Sequence, residues 1–159
     1  MIAYVDSRLY MKLYNNLLRR NGFNLTGTPR FIAKSVKFDD FSRISLGDRV
    51  VISMHVYFLT HDYSYTTALI AIDDQPKTDI GILRSITVGD NVFIGMNSII
   101  LPGTTIGNNV IIGAGSVVRG NIPDNSVITG NPASHIMDIR EFAEKSKKRV
   151  DNDFLVDKK

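Results

Sequence analysis

Hydrophobic positions recur every six residues along much of this chain. Stepping by six from Val88 gives Ile94, Ile100, Ile106, Ile112 and Val118, all β-branched aliphatics. The following residues are Gly89, Gly95, Leu101, Gly107, Gly113 and Arg119. Four residues after each aliphatic stand Val92, Ser98, Thr104, Val110, Ser116 and Ile122, all small or branched. An upstream stretch keeps the phase more loosely, with Leu46, Ile52 and Phe58 in the first place and Ile32, Phe38, Ile44, Val50 and Val56 in the fifth. A helix repeats every 3.6 residues and a plain strand every two, so neither produces a period of six. A short strand followed by a sharp corner does. The first-place aliphatic then points inward, and glycine or residues such as Asp90, Asn91, Asn108 and Asn109 take the corner, including positive φ. Stacked turns bury a continuous core that no single repeat could bury alone. The pattern predicts an all-β parallel solenoid. An ordinary β-sandwich would not hold its spacing to six over so many repeats.

The gap from Phe58 to Val88 is thirty residues, a multiple of six, and reads as an outgrowth that interrupts the solenoid. The expected organisation is a single domain over 1–159, with an N-terminal helix (6–21), coils at 28–60 and 86–133, an outgrowth at 61–85, and a C-terminal helix and tail (138–159). Within the first helix, Ser7 to Arg20, the residues Tyr10, Leu13, Tyr14, Leu17 and Leu18 form one apolar stripe. Asp6 or Ser7 can cap its start and Gly22 its end. Such a helix suits the open end of the solenoid, where unpaired strand edges invite aggregation. Asp138 to Arg149 reads as a second, charged helix, and the final DNDFLVDKK as a mobile tail.

Composition narrows the chemistry. With no cysteine among 159 residues, a disulfide scaffold, a Cys-ligated metal and a Cys nucleophile are excluded. No apolar run reaches the roughly 18 residues of a transmembrane helix, and the N-terminus lacks a signal-peptide pattern, so a cytoplasmic protein is expected. A net charge of +3 is too weak to indicate nucleic acid.

The segment from Ile86 to Ala133 contains LPG, IGAGSVV and GNPA in order and resembles the hexapeptide-repeat acyltransferases. Leu46 to Tyr65, LGDRVVISMHVYFLTHDYSY, resembles their active-site stretch. The general appearance is that of acetyltransferases of surface-polysaccharide and capsule assembly, with galactoside and maltose acetyltransferases as more distant cousins. The resemblance implies a left-handed β-helix, three subunits side by side, and acetyl-CoA in the groove between neighbours. It implies His61, in LTHD, as the general base, and an acceptor hydroxyl that approaches it in the same cleft. No metal is required.

Neutral histidine suits proton abstraction near pH 7. Without cysteine or a G-x-S-x-G elbow, direct transfer follows rather than an acyl-enzyme. Asp62, Tyr63 and Tyr65 follow the base and are candidates to orient it or to bind a sugar. The resemblance places the cofactor's pantetheine along Gly95, Met96 and Ala114, and its phosphates near the C-terminal coils, where Arg119, Gly120, Pro132 and Ser134 stand. There the chain departs from the common pattern: VVRGNIP replaces VVTKDIP and GNPAS replaces GNPAR, so Gly120 and Ser134 fill places often held by lysine and arginine. The expected activity is O-acetylation of a sugar or polysaccharide precursor. N-acetylation of an amino sugar and a non-catalytic scaffold are the alternatives. A zinc site of the carbonic-anhydrase kind needs three histidines, and His55, His61 and His135 do not have that spacing.

Overall fold

The structure, a computed structural model, describes residues 7–150, with the side chains of 8–148. Helix α1 (Ser7–Arg20) opens the chain and ends at Gly22, whose φ is +83°. Short strands then wind through five coils. The first holds β1 (Asn24–Leu25), β2 (Phe31–Ile32) and β3 (Lys37–Phe38), and the second β4 (Ile44–Leu46), β5 (Val51–Ile52) and β6 (Tyr57–Phe58). The interruption carries β7 (His61–Asp62), α2 (Ser64–Ile70) and β8 (Ile82–Leu83). The third coil is β9 (Ile86–Val88), β10 (Phe93–Ile94) and β11 (Ile99–Ile100), and the fourth β12 (Thr105–Ile106), β13 (Ile111–Ile112) and β14 (Val117–Val118). The last holds β15 (Asn121–Ile122) and β16 (Ser126–Gly130), followed by β17 (Ala133–Asp138) and helix α3 (Ile139–Val150). Residues 151–159, and the cap of α1, lie outside the described part.

The strands form three parallel faces of a left-handed prism: β1-β4-β9-β12-β15, β2-β5-β10-β13-β16 and β3-β6-β11-β14. First-place side chains fill the interior, and Leu46, Ile52, Phe58, Ile94, Ile100, Ile112 and Val118 are wholly buried. At about 1.5–3 kcal/mol for each fully buried aliphatic, this column is the main stabilising element. The fifth places are buried too, with their polar atoms satisfied. Ser98 Oγ donates to Gly95 O at 2.8 Å, and Thr104 Oγ1 to Leu101 O at 2.6 Å.

The edge between the first two faces explains the Gly–Asp/Asn–Asn run. Arg49, Asn91, Asn109 and Asn125 all have φ between 54° and 59°, the left-handed region that asparagine tolerates. Asp90 and Asn108 do not take positive φ; they sit one residue earlier and accept hydrogen bonds. The Asp48 N–H donates to Asp90 Oδ1 (2.7 Å), that of Asp90 to Asn108 Oδ1 (2.8 Å), and that of Asn108 to Asp124 Oδ1 (2.7 Å). The amides of Asn91, Asn109 and Asn125 form a second ladder. Glycine is needed in the second place because that oxygen lies over it: a β-carbon on Gly89 would stand 2.7 Å from Asn108 Oδ1.

Three phase assignments change. Ile32 and Phe38 pair with the first-place Ile52 and Phe58, so they are first-place residues; the 3-10 turn Phe41–Arg43 lengthens that coil. Ile122 pairs with Ile106, because the step from β14 to β15 is two residues shorter than the regular one. The chain beyond residue 125 forms an antiparallel hairpin, β16–β17, which carries His135. The apolar stripe of α1 is also displaced. Met11, Asn15 and Leu18 are buried, whereas Leu13 and Leu17 are exposed. This buried face closes the free edge of β2: Tyr10 OH donates to Ile32 O, and the Asn15 amide to Pro29 O.

Candidate active site

The candidate site forms on the edge between the third and first faces. Here the solenoid breaks after Phe58, and the chain leaves through β7. His61 sits on β7, held by antiparallel pairing with β8. Its imidazole is a little over one-third exposed, and Nδ1 lies 2.7 Å from Asp39 Oδ2. At that distance Nδ1–H donates to the carboxylate, which leaves Nε2 as the free, basic nitrogen. Asp39 is fixed in turn: its Oδ2 accepts the Thr60 N–H at 3.1 Å, and its own N–H donates to Phe58 O. Phe38, Phe58, Phe23 and Phe41 pack as an aromatic cluster beneath these residues, with the Phe38 and Phe58 rings 5.0 Å apart.

The candidates after His61 divide by geometry. The Tyr63 ring meets the imidazole edge-on, with centroids 5.7 Å apart. Asp62 instead accepts the Ser64 N–H at 2.8 Å, at the start of α2, and this bond holds its carboxyl below the usual range. Tyr65 lies exposed on α2. The carboxylate on His61 is therefore Asp39. The six-residue phase alone does not reveal it, because Phe38 is a first-place residue in a coil two residues longer than the rest. Pairing Phe38 with Phe58 puts Asp39 beside Leu59–Thr60.

Beside this site, Asp62, Arg84, Gly103, Arg119 and Gly120 line a cavity of about 400 Å³. The Arg84 stem lies over Gly103, where a β-carbon would stand 3.0 Å from Arg84 Cδ. Arg84 and Arg119 make this end of the edge cationic.

Gly95, Met96 and Ala114 lie on a different edge, between the second and third faces. There the Gly115 N–H donates to Met96 O at 2.8 Å, and a β-carbon on Gly95 would stand 2.5 Å from Ala114 N. Pro132 and Ser134 belong to the β16–β17 hairpin, which joins this edge where the Gly130 N–H donates to Ser116 Oγ. Within one chain, therefore, His61, Asp62, Tyr63, Arg119 and Gly120 share one edge. Gly95, Met96, Ala114, Pro132 and Ser134 follow another. His55 is an exposed corner residue with φ 57°. Among the described residues, no group of histidine and carboxylate side chains could hold a metal ion, and no helix is long and apolar enough to cross a membrane.

Residues 85–120 match the bacterial transferase hexapeptide family (six repeats). The protein CapG of Staphylococcus aureus is 38% identical over 151 residues, covering 88% of this chain and 85% of its own. The chain belongs to the hexapeptide-repeat acetyltransferases. It is an acyltransferase. A putative lipopolysaccharide-biosynthesis O-acetyl transferase of Escherichia coli, WbbJ, is 34% identical over 115 residues, covering 67% of this chain and 59% of its own. The crystal structure of a maltose O-acetyltransferase from Clostridium difficile superimposes with a TM-score of 0.62 at 27% identity, covering 83% of this acetyltransferase and 81% of that chain.

Proposed function

We propose that this acetyltransferase moves the acetyl group of acetyl-CoA to a hydroxyl of a sugar or surface-polysaccharide precursor, with His61 as general base and Asp39 as its positioning residue. The observation that carries the reading is the 2.7 Å contact between Asp39 Oδ2 and His61 Nδ1, which fixes the tautomer with Nε2 free. Nε2 takes the acceptor's hydroxyl proton as the oxygen attacks the thioester carbonyl. The C–S bond then breaks, and the imidazolium returns the proton to the leaving sulfur. Asp39 stabilises the imidazolium formed between these steps, and a positioned base of this kind contributes about 10²–10⁴-fold. The names of the E. coli and C. difficile relatives favour oxygen as the acceptor atom.

The site is completed by a neighbouring subunit in a homotrimer. Three columns of outward side chains support this. On the first face they are polar: Asn24, Ser45, Thr87, Thr105 and Asn121. On the second they are Phe31, Val51, Phe93 and Ile111, and on the third Lys37, at the N-terminal end of the column, followed by the apolar Tyr57, Ile99 and Val117. Two apolar faces on one small prism suit packing against copies of itself. Such packing can bring one copy's Gly95–Ala114 edge to another's His61 edge. The pantetheine then runs along the backbone of Gly95, Met96 and Ala114. Arg84 and Arg119 stand where cations are wanted for the phosphates, and Gly120 beside them leaves side-chain space.

Thiol release from acetyl-CoA, followed across a panel of sugars, amino sugars and nucleotide sugars, tests the reading. Hydroxyl-only sugars are expected to support turnover and yield alkali-labile acetyl esters. Turnover confined to amino sugars, with an alkali-stable amide product, would replace O-acetylation by N-acetylation. No thiol release with any acceptor would favour the scaffold.

A further inference from the structure

The N-terminal helix presents a second face that neither the core nor the site uses. At about 100° per residue, Leu9, Leu13 and Leu17 fall opposite the buried Met11, Asn15 and Leu18. The three leucines are 53–61% exposed and point away from the prism. Helix α1 carries Arg8, Lys12, Arg19 and Arg20 and no acidic residue. Lys12 and Arg19 lie on one flank of the leucine stripe, and Tyr10 and Tyr14, stacked 5.5 Å apart, on the other. Below the basic flank, a cavity of about 420 Å³ adds Arg30 and Arg49 from the first corner edge. Its single carboxylate, Asp48, accepts the Thr28 N–H at Oδ1 and is outnumbered by these cations.

From this placement we propose that α1 docks this acetyltransferase onto an anionic phospholipid surface, with the leucine stripe in the headgroup–acyl boundary and the basic cavity taking a lipid phosphate. Three features select a membrane over a second copy of the chain. The stripe has the form of an interfacial amphipathic helix, apolar above and cationic at the side. Like-charged α1 helices repel one another, whereas an anionic bilayer complements them. Finally, α1 covers the end of the prism, over the terminal strands β1 and β2, rather than the side faces suited to subunit packing. Docking of this kind puts Asp39 and His61 in the two coils nearest the lipid.

Co-sedimentation of the full chain with vesicles tests the proposal. Binding is expected to phosphatidylcholine vesicles containing phosphatidylglycerol, and not to phosphatidylcholine alone; equal binding to both, or to neither, overturns it. Leu13→Ser is expected to weaken binding on the order of tenfold, and Lys12→Gln and Arg20→Gln about fivefold each at low salt. Wild-type vesicle binding by the triple variant Leu9→Ser, Leu13→Ser, Leu17→Ser overturns the docking face. Light scattering supplies the second arm. An unchanged assembly size in the triple variant supports the membrane. A smaller assembly identifies the stripe as a contact between copies and overturns the proposal.

Discussion

At the scale of single residues, the proposed chemistry rests on how one imidazole is held. His61 is set by three short connections: its strand pairing through β7–β8, the Asp39 carboxylate on Nδ1, and the Thr60 N–H that anchors that carboxylate. Asp39→Asn keeps an acceptor oxygen but removes the charge that steadies the imidazolium. We expect kcat to fall about tenfold to a hundredfold, corresponding to the roughly 1.5–3 kcal/mol of a charged hydrogen bond, with KM for acetyl-CoA little changed. Steady-state kinetics on the two substrates separate these effects, and an equal rise in KM would point to lost binding instead. Asp62 serves α2. Its lowered carboxyl keeps the Ser64 contact in place through the usual carboxylate range, and the contact is lost only as pH falls through that lowered value. The Ser64 amide resonance is expected to hold its position to a more acidic pH in the wild type than the ordinary titration of an aspartate allows, and a shift at ordinary aspartate pH would contradict the assignment. The histidine was legible in LTHD at the break of the repeat. Its carboxylate was not, because a partner one coil away is visible only once the coil length is known.

At the scale of elements, the repeat was legible because its two requirements act on residue type at fixed positions. The interior accepts only apolar first places, and the corner beneath a stacked Asp or Asn accepts only glycine. Gly89→Ala places a methyl against Asn108 Oδ1 and Gly107 O. A cost of about 1–3 kcal/mol is expected, or a Tm lower by roughly 2–4 °C per kcal/mol, measurable by calorimetry. An unchanged Tm would show that the ladder shifts freely. Where the coils gain or lose two residues, the six-residue phase slips without any change in composition. That is why Ile32, Phe38 and Ile122 are first-place residues although the strict count of six puts them in the fifth. Helix α1 was legible as a helix, but its buried face was not. A polar Asn15 lies inward, bonded to Pro29 O, while three leucines face solvent, and a hydrophobic pattern assigns those directions the other way.

At the scale of the molecule, the two groups of candidate residues lie on different edges of the prism. A working site that uses both therefore needs a second chain. Phe93→Asp, on the outward column of the second face, is expected to shift the assembly toward monomer in light scattering and to reduce thiol release at the same protein concentration. Full activity in a monomeric variant would contradict the intersubunit site. In the proposed site the acceptor side falls to α2 and the segment up to β8. Those residues follow no repeat, so periodicity does not constrain them. The most direct test of the whole account is the turnover of His61→Ala with acetyl-CoA and a sugar the wild type acetylates. A kcat reduced by about 10²–10⁴-fold with acetyl-CoA still bound is expected; release of CoA at the wild-type rate would contradict His61 as the base.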